Sequence, residues 1–152
     1  MTPTPVRFHD PRATLADFAS SILVRCPRCE RIAHFGPGPC TTADGEGGSC
    51  RESRVICRSC GLCRIDMDRY FRPPLWLQTE TRHGHLWAYN LEHLDLIRRF
   101  VAADLRERAP WYDTGQKMTL VARLPAWMKS AKNRDEILRA VDRLRATVIA
   151  PD

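Results

Sequence analysis

A chain of 152 residues, 43% hydrophobic and 28% charged, carries enough apolar material for one domain or one domain with a small satellite. It is too short for a barrel enzyme or a dinucleotide fold with a substrate domain, and too apolar for a disordered polyelectrolyte. The net charge is +6, and no apolar run approaches the roughly 20 residues that span a bilayer.

Residues 1–20 mix Thr, Pro and charge and predict a flexible N-terminal arm, with a short helical turn over 13–19. They hold no apolar stretch of the kind that opens a secretory signal, so the expected address is cytoplasmic. There the seven cysteines stay reduced and read as metal ligands.

Residues 21–89 predict a β module. An apolar lead-in reaches Cys26-Pro27-Arg28-Cys29, followed by a short alternating segment to Phe35. Residues 36–53 hold five of the eight glycines together with Cys40 and Cys50, and read as an irregular insertion. A second lead-in from Arg54 reaches Cys57-Arg58-Ser59-Cys60-Gly61, so the two halves repeat one plan. Leu75–Thr79 and Leu86–Tyr89 are apolar and aromatic on either side of Glu80–His85, which predicts a hairpin extending the ribbon's sheet.

Residues 90–152 predict a helical region. Asn90 is a natural N-cap, and Leu94, Ile97, Val101 and Leu105 keep helical spacing, so a helix is expected over 91–108, ended by Pro110. Short helical pieces are expected over 119–123 and 126–131, with a turn at Pro125 between them. Asn133 followed by Glu136 resembles a capping box for a last helix with the stripe Ile137, Val141, Leu144 and Val148. The fold class is therefore α+β: a small zinc ribbon of short antiparallel strands, then a hairpin and a C-terminal helical region.

The chemistry sits in Cys26, Cys29, Cys57 and Cys60. Two CxxC turns offer four thiolates, the ligand set of a tetrahedral Zn2+ site whose closed shell leaves no position for catalytic water. The competing reading is redox or incidental cysteines. Cys63 contends with Cys60 for the fourth position, but Gly61 after Cys60 suits the knuckle turn and makes Cys63 a strand residue. Cys40 and Cys50 are free thiols or an adventitious disulfide on the plain reading; the sharper one joins them to His83 and His85 around a second zinc ion. His34 and His93 read as surface or half-buried. Phosphate-loop, dinucleotide, nucleophile-elbow, HExxH and deaminase motifs are missing, which argues against an enzyme.

The charge is uneven. Residues 117–145 hold eight Lys or Arg against three acids, a net of +5, whereas 87–109 balance. Lys129, Lys132, Arg134, Arg139 and Arg143 make a basic face that contacts phosphates on one reading and is a solvated helix surface on the other. Trp76, Trp87, Tyr89, Trp111 and Trp127 are candidate stacking rings; Trp76 and Trp87 read as core, and Trp127, among basic residues, has the better case for a partner surface, though core packing keeps the edge there too.

Leu86-Trp87-Ala88-Tyr89-Asn90 and Leu124-Pro125-Ala126-Trp127-Met128-Lys129-Ser130-Ala131-Lys132-Asn133-Arg134, with the paired CxxC knuckles, carry a further signal. Over most of Cys26 to Arg145 the chain resembles an uncharacterised family of small bacterial proteins with a transcription-factor-IIB-type zinc ribbon. Members have a cysteine pair and a glycine in the turn before LWAYN, where this chain reads Arg82-His83-Gly84. The resemblance implies zinc and a bacterial cytosolic setting, and no settled activity. The expected function is a non-enzymatic zinc protein whose partner is nucleic acid or a nucleic-acid-handling complex. The alternative is a protein-interaction adaptor with a purely structural zinc. A metal-dependent hydrolase on His83, His85, Cys40 and Cys50 would need a second ion.

Overall fold

A computed structural model describes residues 2–37, 53–66, 72–107 and 119–149. Four short strands form an antiparallel sheet in chain order: β2 (Ile22–Arg25), β3 (Ile32–Pro37), β4 (Ser53–Ile56) and β5 (Cys63–Asp66). Register pairs Val24 with Ala33 and Phe35 with Val55, so period-two alternation puts Ile22, Val24, Ala33, Phe35 and Val55 on one face. Leu23 points the other way, and with Ile32 it meets a second, larger core.

β6 (Leu77–Thr81) and β7 (Gly84–Ala88) form the expected hairpin around a turn at Arg82-His83. The Thr81 hydroxyl fixes the turn, accepting from the amides of His83 and Gly84 and donating to the Gly84 carbonyl. The hairpin is its own two-stranded sheet, stitched to β2 by its flanks: Leu23 N donates to Tyr89 O (2.7 Å), Trp76 N to Leu23 O (2.9 Å) and Arg25 N to Pro74 O (2.8 Å).

Asn90 starts α1 (Leu91–Ala102), its side chain accepting from His93 N at 2.9 Å. The helix is shorter than its periodicity predicts. After Ala102 the chain extends, and Leu105 leaves the stripe to open β8 (Leu105–Glu107), which runs parallel to β1 (Arg7–His9). Tertiary pairing outweighs helical spacing here: Asp104 accepts from Val6 N (3.0 Å), and the Arg106 guanidinium stacks 4.1 Å from the Phe100 ring centroid. Pro110 and Trp111 lie outside the described residues.

The stretch expected as a flexible arm thus contributes a strand. It also contributes core: Phe8 is buried edge-on against Phe100 (5.3 Å), and buried Asp10 accepts from Thr119 Oγ1 at 2.7 Å. A 3-10 turn follows over Leu15–Phe18, where a helical turn was expected.

The last third runs through a 3-10 turn at Val121–Arg123, α2 (Ala126–Lys129), a 3-10 turn at Ala131–Asn133 and α3 (Arg134–Ile149). Asn133 is buried and donates to Trp127 O at 3.0 Å, tying the two pieces together. α3 buries Ile137, Ala140, Val141 and Leu144 against α1 and β6, closing a core that includes Leu77, Leu86, Leu94, Ile97, Val101 and Met128. The ribbon has a separate core of Ile22, Val24, Ala33 and Val55, completed by Cys26 and Cys57.

Candidate metal centre

The two CxxC turns are built alike, bond for bond. Cys26 N donates to Arg31 O (2.8 Å) and Glu30 N to Cys26 O (3.0 Å); at the same offsets Cys57 N donates to Leu62 O (2.8 Å) and Gly61 N to Cys57 O (2.9 Å). Each turn ends in the left-handed region immediately after its second cysteine, Glu30 at φ 62° and Gly61 at φ 75°. Glycine fills that region without strain, so the second knuckle is relaxed and the first carries a side chain where one is disfavoured.

These turns bring the four cysteine sulfurs within 4.8 Å of one another. Across the knuckles, Cys26 Sγ lies 3.7 Å from Cys60 Sγ and Cys29 Sγ 3.6 Å from Cys57 Sγ. Four thiolates at about 2.3 Å from one ion stand about 3.8 Å apart at the edges of a tetrahedron, so the spacing fits a single metal. Cys26 and Cys57 are buried; Cys29 and Cys60 are half-buried.

The thiols are not equivalent. Burial raises the Cys26 pKa, but the amides of Cys29 and Arg28 and the neighbouring sulfurs outweigh it and bring it down to about 6. Burial is likewise outweighed at Cys57, where the amides of Cys60 and Ser59 lower the pKa. At Cys29 the Arg31 amide lowers the pKa, yet burial and three adjacent sulfurs win and push it up to about 11. Amides pointed at sulfur favour thiolate, while the crowding of four sulfurs opposes complete ionisation until a cation joins them.

Among the described residues this is the one group of three or more His, Cys, Asp or Glu side chains able to close on an ion. Cys63 starts β5 opposite Ile56, exposed and outside the cluster. Cys40 and Cys50 lie outside the described residues. The histidines proposed for a second site face different carboxylates: His83 Nε2 lies 3.1 Å from Glu136, and His85 Nδ1 contacts Glu80. Burial opposes the charge on Glu136, but Arg82 at 2.9 Å and His83 hold its pKa below the usual value. His34 meets Ser21 at the surface, whereas His93, expected at most half-buried, is 2% exposed and accepts from Tyr89 N at 3.0 Å.

The expected basic face divides. Arg134 is half-buried and engaged, donating to Asp104 (3.0 Å) and Ala103 O (3.0 Å), and Lys129 Nζ donates to Ala122 O (2.9 Å). Lys132, Arg139 and Arg143 are exposed and make no ion pair among the described residues. Trp127 is half-buried, stacked on His83 at 6.3 Å and so close to Gly84 that a Cβ there would meet its Nε1 at 2.9 Å. Trp76 donates to Thr147 Oγ1 at 3.0 Å.

Sequence reasoning passed over Arg28, Arg31 and Arg58, which stand exposed on the knuckle tips and make no ion pair among the described residues. The signal was inside the motifs themselves, CPRCER and CRSC. Glu136, which holds the hairpin turn to α3, had no local signature of that role: the spacing predicted a capping box with Asn133, but Asn133 donates to Trp127 O and Glu136 turns instead to Arg82 and His83. Compared with protein-family models, curated proteins and solved structures, the chain matches none.

Proposed function

We propose that this is a non-enzymatic protein in which a zinc ion staples the ribbon and exposed cations bind the phosphate backbone of nucleic acid. A tetrahedral all-thiolate shell suits zinc, a d10 ion with no geometric preference of its own, and four protein ligands leave no open position. The observation that carries the nucleic-acid reading is the division among the cations. Arg82, Arg98, Arg99 and Arg134 each face a carboxylate at 2.9–3.0 Å, while Arg28, Arg31 and Arg58 on the knuckles and Lys132, Arg139 and Arg143 on the C-terminal segment face none among the described residues. Unpaired guanidinium groups on rigid turns suit phosphate, positioning a strand without reading its sequence.

The test is binding of the metal-loaded protein to single- and double-stranded DNA and RNA across a salt series. Each phosphate contact contributes about −0.9 to the log–log slope on duplex and about −0.7 on single strands. Reversing Lys132, Arg139 and Arg143 to Glu should flatten the slope by about three contacts; Lys129 and Arg134 are left intact because they hold the fold. Absence of binding at low salt, or a slope untouched by these reversals and by Arg28→Glu with Arg58→Glu, overturns the reading.

One observation favours the adaptor instead. Ile56 and Ile65 are 41% and 48% exposed on the ribbon face away from its core, diagonal neighbours across β4 and β5. If nucleic acid does not bind, this patch is where a protein partner docks, and Ile56→Ser with Ile65→Ser should abolish that contact.

A further inference from the structure

Alternation along β7 sends Leu86 and Ala88 into the larger core, which turns Trp87 and His85 to the opposite face of the hairpin. That face looks across to the ribbon, where Ile22, Val24 and Phe35 line the smaller core's side of the sheet. Between them lies a cleft of about 380 Å³, within the roughly 300–1,000 Å³ range of small-ligand sites. Its aromatic walls are Phe35, Trp87 and Tyr89, all half-buried, so each ring keeps part of its surface open to the cleft. Trp87 and Tyr89 stand 5.4 Å apart, and both pack edge-on to the buried His93 ring, at 5.6 and 5.8 Å, which fixes their planes. Arg72 stands at the rim, exposed and without an ion pair among the described residues.

Flat apolar walls select a planar ligand with a π face, and the exposed Arg72 guanidinium at the mouth selects an anion attached to it. We propose that this cleft takes one unpaired nucleobase of a bound strand, stacked against Tyr89, with the adjoining phosphate on Arg72. The inference rests on the nucleic-acid reading and deepens it from backbone contact to capture of a splayed base, the way single strands are held by aromatic platforms.

The experiment uses the metal-loaded full chain and two single strands of about eight nucleotides, one intact and one with abasic residues throughout, so that phosphates match and bases differ. The intact strand should bind roughly 5- to 100-fold tighter, the equivalent of one stacked base, and should quench tryptophan fluorescence. Tyr89→Leu should remove most of that difference while leaving the salt slope unchanged. Equal binding of the two strands overturns the cleft and leaves the phosphate reading standing; failure of both strands to bind overturns both. A preference for the intact strand that survives Tyr89→Leu and Phe35→Leu also overturns the cleft. Should those variants fail to fold, Arg72→Ala, outside both cores, decides: it should weaken the intact strand and lower its salt slope by about one contact, and an unchanged slope counts against the proposal.

Discussion

The ribbon and the hairpin–helix half are held by different forces. The ribbon core has four buried apolar residues, one of them alanine, and two buried cysteines; the other core has eighteen buried residues drawn from both ends of the chain. At about 1.5–3 kcal/mol for each large apolar side chain buried, the ribbon cannot offset the roughly 1–2 kcal/mol per residue lost in ordering four strands and two turns. A metal ion on the four cysteines would supply the difference, as in other small cysteine-clasped modules. The hairpin–helix half meets the same cost with Leu77, Leu86, Leu94, Ile97, Ile137 and Val141, each no more than 1% exposed. β2 belongs to both, with Val24 in one core and Leu23 in the other, so the lesson is that one strand can couple a metal-dependent fold to a metal-independent one.

The strongest attempt to break this contrast is chelation. Removing the ion, whose binding in comparable peptides supplies about 10–16 kcal/mol, should strip hydrogen-exchange protection from 22–25, 32–37, 53–56 and 63–66 while α1 and α3 keep theirs. Simultaneous loss in both halves would show one cooperative unit. The converse cut is Ile137→Ala, fully buried on α3, expected to cost about 2–5 kcal/mol in chemical denaturation with the metal affinity of the ribbon nearly unchanged.

Acid tests the larger core through His93, whose burial lowers its pKa from 6.5 to about 4. The unfolded chain takes up this proton near pH 6.5 and the fold resists it, so its contribution is whole above pH 6.5 and declines as pH falls toward 4, by about 3 kcal/mol in all. Denaturation midpoints of wild type and His93→Gln, followed through that interval, should diverge by this dependence; parallel curves would count against it. The smallest expected effect is at the joint. Asn90 caps α1 through its oxygen and donates through Nδ2 to Phe18 O (2.9 Å) and Ser21 O (3.0 Å), so Asn90→Ala should cost about 1 kcal/mol or somewhat more in thermal unfolding.

How much of this was legible depended on whether the signal was local. Paired CxxC turns, the glycine after Cys60, the alternation in β7 and the stripe on α3 are each written within a few residues, and the α+β ribbon with hairpin and helices follows from them. The pairing of β1 with β8 is not: three residues at each end, 98 apart, leave no periodicity, and Leu105 keeps the phase of a helix it does not join. Charge counting could not separate Arg134, fastened to Asp104, from Arg139, which faces solvent, because a count carries no partners. The near-identity of the knuckles shows the opposite case: Glu30 adopts the conformation of Gly61 because the hydrogen bonds of the turn demand it, though its side chain resists.

The pairing of β1 with β8 also sets an order of events during synthesis. The four ligands are complete once Cys60 has left the ribosome, but β1 must wait for Leu105–Glu107, and Asp10 for Thr119, 109 residues downstream. At about 5–20 residues per second, the stretch from Cys60 to Thr119 takes roughly 3–12 s to synthesise. A nascent chain supplied with metal could hold its two knuckles clasped through that interval while β5 and the hairpin emerge. One starved of metal would lack that clasp, leaving the edges of the ribbon strands open to neighbouring chains, so aggregation during synthesis should rise as metal is withheld.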